Sequence, residues 1–307
     1  QAPMLTLGNT TKLEIMKIVS ISSSCPMSLP IKPKAQVKLE GGIQVEAGGT
    51  LCIDGWLKGD IVLNGGTLQV DDDTTIDSSS RISLLSSSIL KIVTGKTLAY
   101  SGSAISVGAS TLTLRGGGSF VSGGLTLNDA DSKLLLNSIT LDSASTSSDS
   151  LGLDIDTNST VTSLSVSHIT PVSIAAGKSL SGAVTVTAGS LKLNETGTLA
   201  STIAMSGGTL DSDESSTVSG ALSHTADITI DVANNKTLTY SGAAISLGAN
   251  TITLSGGGSL VSGGLTLNDA DSKLLLNSII LDSASTSANN LGIDVDANST
   301  VTSLSVG

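Results

Sequence analysis

The chain has 307 residues, 26 acidic against 15 basic side chains, and a formal charge of −11. That balance argues against nucleic acid, whose phosphates need clustered Lys and Arg. Hydrophobic residues reach 39% and aromatics only 1%, which is too apolar for a disordered or mucin-like tract and too poor in large side chains for two ordinary globular cores.

Residues 1–50 hold five Lys against three Glu, a balance of +2 that leaves −13 for residues 51–307. No apolar run approaches the roughly 18 residues a membrane span requires, so no membrane insertion is expected. A chain opening on Gln1 fits a mature secreted product or an excised piece. Thr10 to Ser20 reads as one amphipathic helix or a strand, and the Ser/Pro run after it as a loop. Residues 1–35 are therefore expected to form a cap or docking segment over the open end of a stack, where bare strand edges invite aggregation. Cys25 and Cys52 are the two cysteines. As a disulfide they would close a loop of 26 intervening residues, worth about 3 kcal/mol; two buried thiols are the alternative. With Trp56 they would brace the first coils. His168 and His224 are too isolated to complete a zinc site.

From residue 36 onward the pattern is short β-structure. Thr111-Leu-Thr-Leu114, Leu125-Thr-Leu127, Val161-Thr-Ser-Leu-Ser-Val166, Val184-Thr-Val186 and Ile228-Thr-Ile230 alternate aliphatic with Ser or Thr, the period-two signature of a strand with one buried face. Glycine and Asn/Asp clusters such as Gly116-Gly-Gly118 and Asn128-Asp-Ala-Asp131 punctuate them. Pro3, Pro26, Pro30 and Pro33 precede this region and only Pro171 lies within it, which suits continuous ladders of paired N–H groups.

A long internal repeat dominates the chain. Residues 96–166 and 236–306 align without gaps at an offset of 140, with 57 of 71 positions identical. Their apolar differences conserve volume (Val107 to Leu247, Leu112 to Ile252, Phe120 to Leu260, Leu153 to Ile293, Ile155 to Val295), as core positions do. The stretch between them is a looser relative of the region before the first copy: Gly65-Gly-Thr-Leu68 answers Gly207-Gly-Thr-Leu210. A β-sandwich array would want a larger aromatic core. A parallel β-solenoid wants coils of roughly 20 residues, small turn residues and aliphatic ladders. The predicted fold is all-β: a right-handed parallel β-solenoid, or β-helix, over residues 36–307, built from tandem units of about 140 residues with about seven coils each.

Gly65-Gly-Thr-Leu68, Gly256-Gly-Gly258 and Ser181-Gly-Ala-Val-Thr-Val186 give residues 36–307 a style that resembles the β-helical surface proteins of bacteria, the autotransporter passengers and filamentous-haemagglutinin-like adhesins. The resemblance implies a secreted or surface-displayed stalk, adhesin or fibre.

Several groups could carry chemistry. Asp154-Ile-Asp156-Thr-Asn158 and its copy Asp294-Val-Asp296-Ala-Asn298 look like the start of a calcium loop, without the later Gly and Glu of an EF-hand; a solvated acidic ladder is the bland alternative. Asp129, Asp131, Asp269 and Asp271 sit in turns, and Asp71-Asp-Asp73 has no duplicate. A polysaccharide-degrading β-helix needs carboxylates, or a base beside calcium and Arg or Lys, in one unique groove, whereas the calcium-loop and turn acids here recur in both copies. An ice-binding face would need Thr-x-Thr in register; Thr111-x-Thr113 and Thr251-x-Thr253 lie a whole repeat unit apart, so no continuous rank is expected. The leading expectation is a non-catalytic extracellular stalk or fibre with no cofactor, which associates end to end or with further repeats of its own kind. An adhesin that binds glycan or host surface is the runner-up, and a polysaccharide-degrading enzyme the third reading.

Overall fold

Alternation decides the local structure. In Thr111–Arg115 the side chains of Leu112 and Leu114 are buried, while Thr111, Thr113 and Arg115 face outward. The same two-residue rhythm recurs along the chain, and each fully buried Leu contributes about 1.5–3 kcal/mol. A computed structural model describes residues 42–287 and 289–306 in full, with the backbone of three further strands, Lys12–Ile15, Met27–Leu29 and Gln36–Leu39. Among the described residues there is no helix, and every strand ladder is parallel. The fold is a parallel β-solenoid with coils of roughly 20 residues, about 13 in all.

Each coil visits three faces in turn. One example runs along Ser190–Leu193 on the first face, Thr198–Leu199 on the second and Thr202–Met205 on the third, then returns to the first at Thr209–Ser212. The strands are too short to bury anything alone. Stacking coil on coil, about 4.8 Å apart, makes the continuous aliphatic interior.

The chain divides into two units. One comprises Gln1–Leu151 with Asp156–Thr162, the other Gly152–Ile155 with Ser163–Gly307. In the first unit the register on the first face passes from Leu51 to Leu68, Leu90, Leu114 and Leu136. In the second it passes from Leu153 to Val172, Leu193, Ser212 and Val232. The step in residue number is not constant in either series. Corners of different length absorb the drift, so the stack stays in register while the sequence spacing wanders.

Phe120, Tyr100 and Tyr240 are buried among Leu, Ile and Val. Pro171 lies inside the strand Ile169–Ile174, opposite Lys192. The ladder thus tolerates one position without an N–H donor.

Within the segment expected to be a cap, two strands join the parallel ladders: Lys12–Ile15 pairs with Gln36–Leu39, and Met27–Leu29 with Thr50–Lys58. Trp56 lies in Thr50–Lys58 between Gln36 and Thr75. Cys52 is buried. Cys25, and with it the expected disulfide, lies outside the described residues.

Candidate functional site

Several charged side chains on the outer faces are engaged from coil to coil, with one another or with backbone donors. In the first unit, Asp54 Oδ1 accepts the backbone N–H groups of Asp71 and Asp72 at 3.3 and 3.1 Å. Asp72 in turn accepts Lys96 Nζ at 2.5 Å, and Asp73 accepts the N–H of Thr97 at 2.9 Å. The Asp71-Asp-Asp73 cluster therefore ties three successive coils together. Burial pushes the Asp54 carboxyl up, opposed by its two backbone donors, whereas the hydrogen bond from Lys96 holds Asp72 below the usual carboxylate range.

The turn acids are structural as well. Asp129 Oδ1 accepts the N–H of Asp131 at 3.0 Å, and Asp269 does the same for Asp271. The buried Ser132 closes the turn: it accepts from Asp129 N–H at 3.0 Å and donates to the Gly108 carbonyl at 2.6 Å, one coil back. Ser272 repeats both contacts with Asp269 and Gly248.

Of the calcium candidates, Asp156 and Asn158 are exposed and Asp154 half-buried, and Asp294, Asp296 and Asn298 are exposed. Asp294 Oδ2 is bound by Lys273 Nζ at 3.0 Å, so an ammonium already stands where a cation would. Among the described residues no group of three or more His, Cys, Asp or Glu is arranged to hold a metal.

The densest acid–base group is in the second unit. Lys192 Nζ lies 2.9 Å from Asp213 and 3.3 Å from Asp211, and Asp231 stands next to Asp211 in the ladder register. Burial pushes the Asp211 carboxyl up, with Asp213 and Asp231 adding to the rise and Lys192 opposing it. A carboxyl whose folded value is raised adds stability below its unfolded value and loses it as pH rises through the folded value. Asp211→Asn removes that dependence. Melting curves followed from neutral to acidic pH should show the parent gaining on the variant as pH falls; a constant difference would mean Asp211 is not desolvated as described.

The third face carries a seam that sequence reasoning did not find. Ile82–Ser86 closes a three-stranded ladder with Ile43–Glu46 and Ile61–Asn64, and no pairing joins it to Ile105–Ser106 in the following coil. The side chain of Tyr100 makes up part of the loss, accepting from Ile82 N–H at 3.4 Å and donating to the Ser80 carbonyl at 3.2 Å. The open seam leaves a cavity of about 240 Å³ lined by Arg81, Ile82, Ser83, Leu84, Tyr100, Ser103, Ala104 and Ser106.

The seam recurs in the second unit between Leu222–His224 and Ile245–Ser246. There the Tyr240 hydroxyl accepts from Leu222 N–H at 3.0 Å and donates to the Ala243 carbonyl at 2.6 Å. His224 takes the place of Leu84 and contacts the Ser246 carbonyl at 3.1 Å through Nε2, and Ala226 through Nδ1 at 3.2 Å. Both partners only accept, so a neutral ring satisfies one of them and an imidazolium both. The signal in the sequence was the duplicated Tyr-Ser-Gly at Tyr100 and Tyr240, a buried tyrosine at the same position of each copy in a chain with almost no aromatics.

The last described coil of the second unit differs in burial from its earlier copy. The strands Gly292–Ala297 and Thr300–Val306 repeat the sequence of Gly152–Thr157 and Ser159–Val166, but their apolar side chains are uncovered. Val166 is 0% exposed and Val306 77%; Leu164 is 1% and Leu304 52%. In the earlier copy Leu153 and Ile155 are covered by the strand Ile169–Ile174.

No protein-family model matches the chain, and no curated protein or solved structure matches it.

Proposed function

We propose that this chain is a non-catalytic structural protein of the extracellular space or cell surface, a stalk or fibre element that lengthens by stacking coils of its own kind. The observation that carries the reading is the duplicated stack itself: parallel ladders tied coil to coil by backbone, Asp–Lys and Asn–amide contacts, with the same surfaces repeated. A repeated surface suits a load-bearing or multivalent element better than a unique catalytic groove.

Electron microscopy of the purified chain over a range of concentrations tests this. Filaments or end-to-end oligomers that disappear in the double variant Leu304→Lys, Val306→Lys are expected. Dispersed particles at every concentration would count against self-stacking. Saturable binding on a glycan array would favour an adhesin instead, and turnover of an acidic polysaccharide, abolished in Lys192→Met, would replace the structural reading with an enzymatic one.

A further inference from the structure

The register brings together threonines that are far apart in the sequence. On the second face of the second unit, Ser179 lies opposite Thr198, Thr198 opposite Thr217, and Thr217 opposite Thr239. Two residues along the strand, Thr237 lies opposite Ser259, and its N–H donates to the Ser215 hydroxyl at 3.2 Å in the preceding coil. The result is a two-dimensional grid of hydroxyl-bearing side chains. Neighbours along a rank are about 4.8 Å apart and neighbours along a strand about 6.6 Å. A continuous rank of hydroxyls therefore exists, although Thr-x-Thr itself stands in only one of these coils, at Thr237 and Thr239. The residues that align are one coil apart rather than one repeat unit apart, at a spacing that changes from coil to coil.

Three properties of the grid bear on what it contacts. It carries no charge: the strands Ser179–Val186, Thr198–Leu199, Ser216–Val218, Thr237–Tyr240 and Ser259–Val261 contain no ionisable side chain apart from the buried Tyr240. At the corner leading into it, Lys236 and Glu214 are paired with each other at 2.5 Å. Among the described residues, the hydroxyls of Thr198, Thr217 and Thr239 make no hydrogen bond to protein, unlike Thr266 on the third face, which is bonded to Ser285 at 3.1 Å. Finally, the grid is amphiphilic, its threonine methyls running on into the exposed Val261 and Ile280.

We infer that this face binds crystalline water, the prism or basal surface of ice. A single small ligand would make no use of a repeat over several coils. An ion needs charge, and a sugar ring favours an aromatic platform; neither is present. A periodic, uncharged lattice of hydrogen bonds matches a periodic, uncharged array of hydroxyls, with the methyls holding the intervening waters in cages. The first face supplies an internal contrast. Its rank Ser190, Thr209, Thr229 and Thr253 is equally regular, but runs beside Lys192, Asp211 and Asp231, whose hydration breaks any uniform lattice.

Thermal hysteresis and incorporation of the chain into a slowly grown ice front test the inference. The parent should depress the freezing point below the melting point and partition into the ice. Thr217→Lys and Thr239→Lys should each lose both effects, whereas Thr209→Lys on the first face should keep them. All three positions point outward, and an unchanged circular dichroism melt identifies the variants that remain folded. The inference is overturned if the folded parent shows neither hysteresis nor incorporation. It is equally overturned if folded Thr217→Lys and Thr239→Lys behave like the parent, or if Thr209→Lys loses the effects to the same degree.

Discussion

Replacing Leu164 by Ala should destabilise the protein by about 2–5 kcal/mol, the cost of a cavity in a packed core, while Leu304→Ala should change stability by no more than about 0.5 kcal/mol. The two leucines occupy the same position of the repeat, within the identical string Val-Thr-Ser-Leu-Ser-Val at 161–166 and 301–306. They differ in what lies over them. Leu164 is 1% exposed and Leu304 52% exposed, so truncation opens a void at the first and removes half-solvated atoms at the second. Thermal melts at low protein concentration measure the difference directly. If coils of a second copy stack on the outer edge, as proposed, the contrast must shrink with concentration, because Leu304 then acquires the cover that Leu164 already has. Equal and large losses at low concentration would mean that Leu304 is as well covered as Leu164 in the isolated chain.

That pair also marks the limit of what the sequence reveals. Alternation of aliphatic with Ser and Thr, the glycine corners and the near absence of aromatics were enough to anticipate parallel stacked coils, because each is a local consequence of period-two burial in thin layers. Burial at Leu304 was not legible, since the local sequence is the same as at Leu164 and only the neighbouring coil distinguishes them. Register was hidden for a related reason. Coils of unequal length are held in line by corners of different size, so Thr198, Thr217 and Thr239 have no fixed spacing that a repeat search would catch. The acidic groups were legible as residues but not as partners. Asp294 next to Lys273 and Asp211 next to Lys192 are neighbours only across coils, and Asp129 finds its backbone donor at Asp131 through the geometry of a turn. The seam at Tyr100 and Tyr240 was written in the repeat, as a buried tyrosine at the same position of each copy, but its meaning depended on seeing two strands fail to pair.

The corner glycines carry the second large effect. Gly256 and Gly263 both adopt left-handed backbone, with φ of +103° and +66°, yet alanine should be tolerated at one and not at the other. At Gly263 an added Cβ meets nothing within 4 Å. The cost is then conformational, about 1–2 kcal/mol, partly offset by the lower entropy of the unfolded variant, about 0.4–1 kcal/mol. At Gly256 the same atom would lie within overlap distance of the Val232 carbonyl oxygen and of Asp231 Oδ1. The Val232 carbonyl cannot retreat freely, because it accepts the N–H of Gly258 at 2.9 Å. Gly256→Ala therefore adds an overpacking cost of about 1–3 kcal/mol to a backbone strain of about 1–3 kcal/mol. The consequence reaches beyond stability, since this corner delivers the chain from Thr251–Ser255 on the first face to Ser259–Val261 on the second. Displacing it shifts Ser259 and Val261 against Thr237 and Thr239 and disrupts the edge of the threonine grid. Gly256→Ala should thus melt well below Gly263→Ala and lose ice activity even at temperatures where it remains folded. Equal melting temperatures for the two variants would show that the coil beneath Gly256 yields, and that the corner does not set the register.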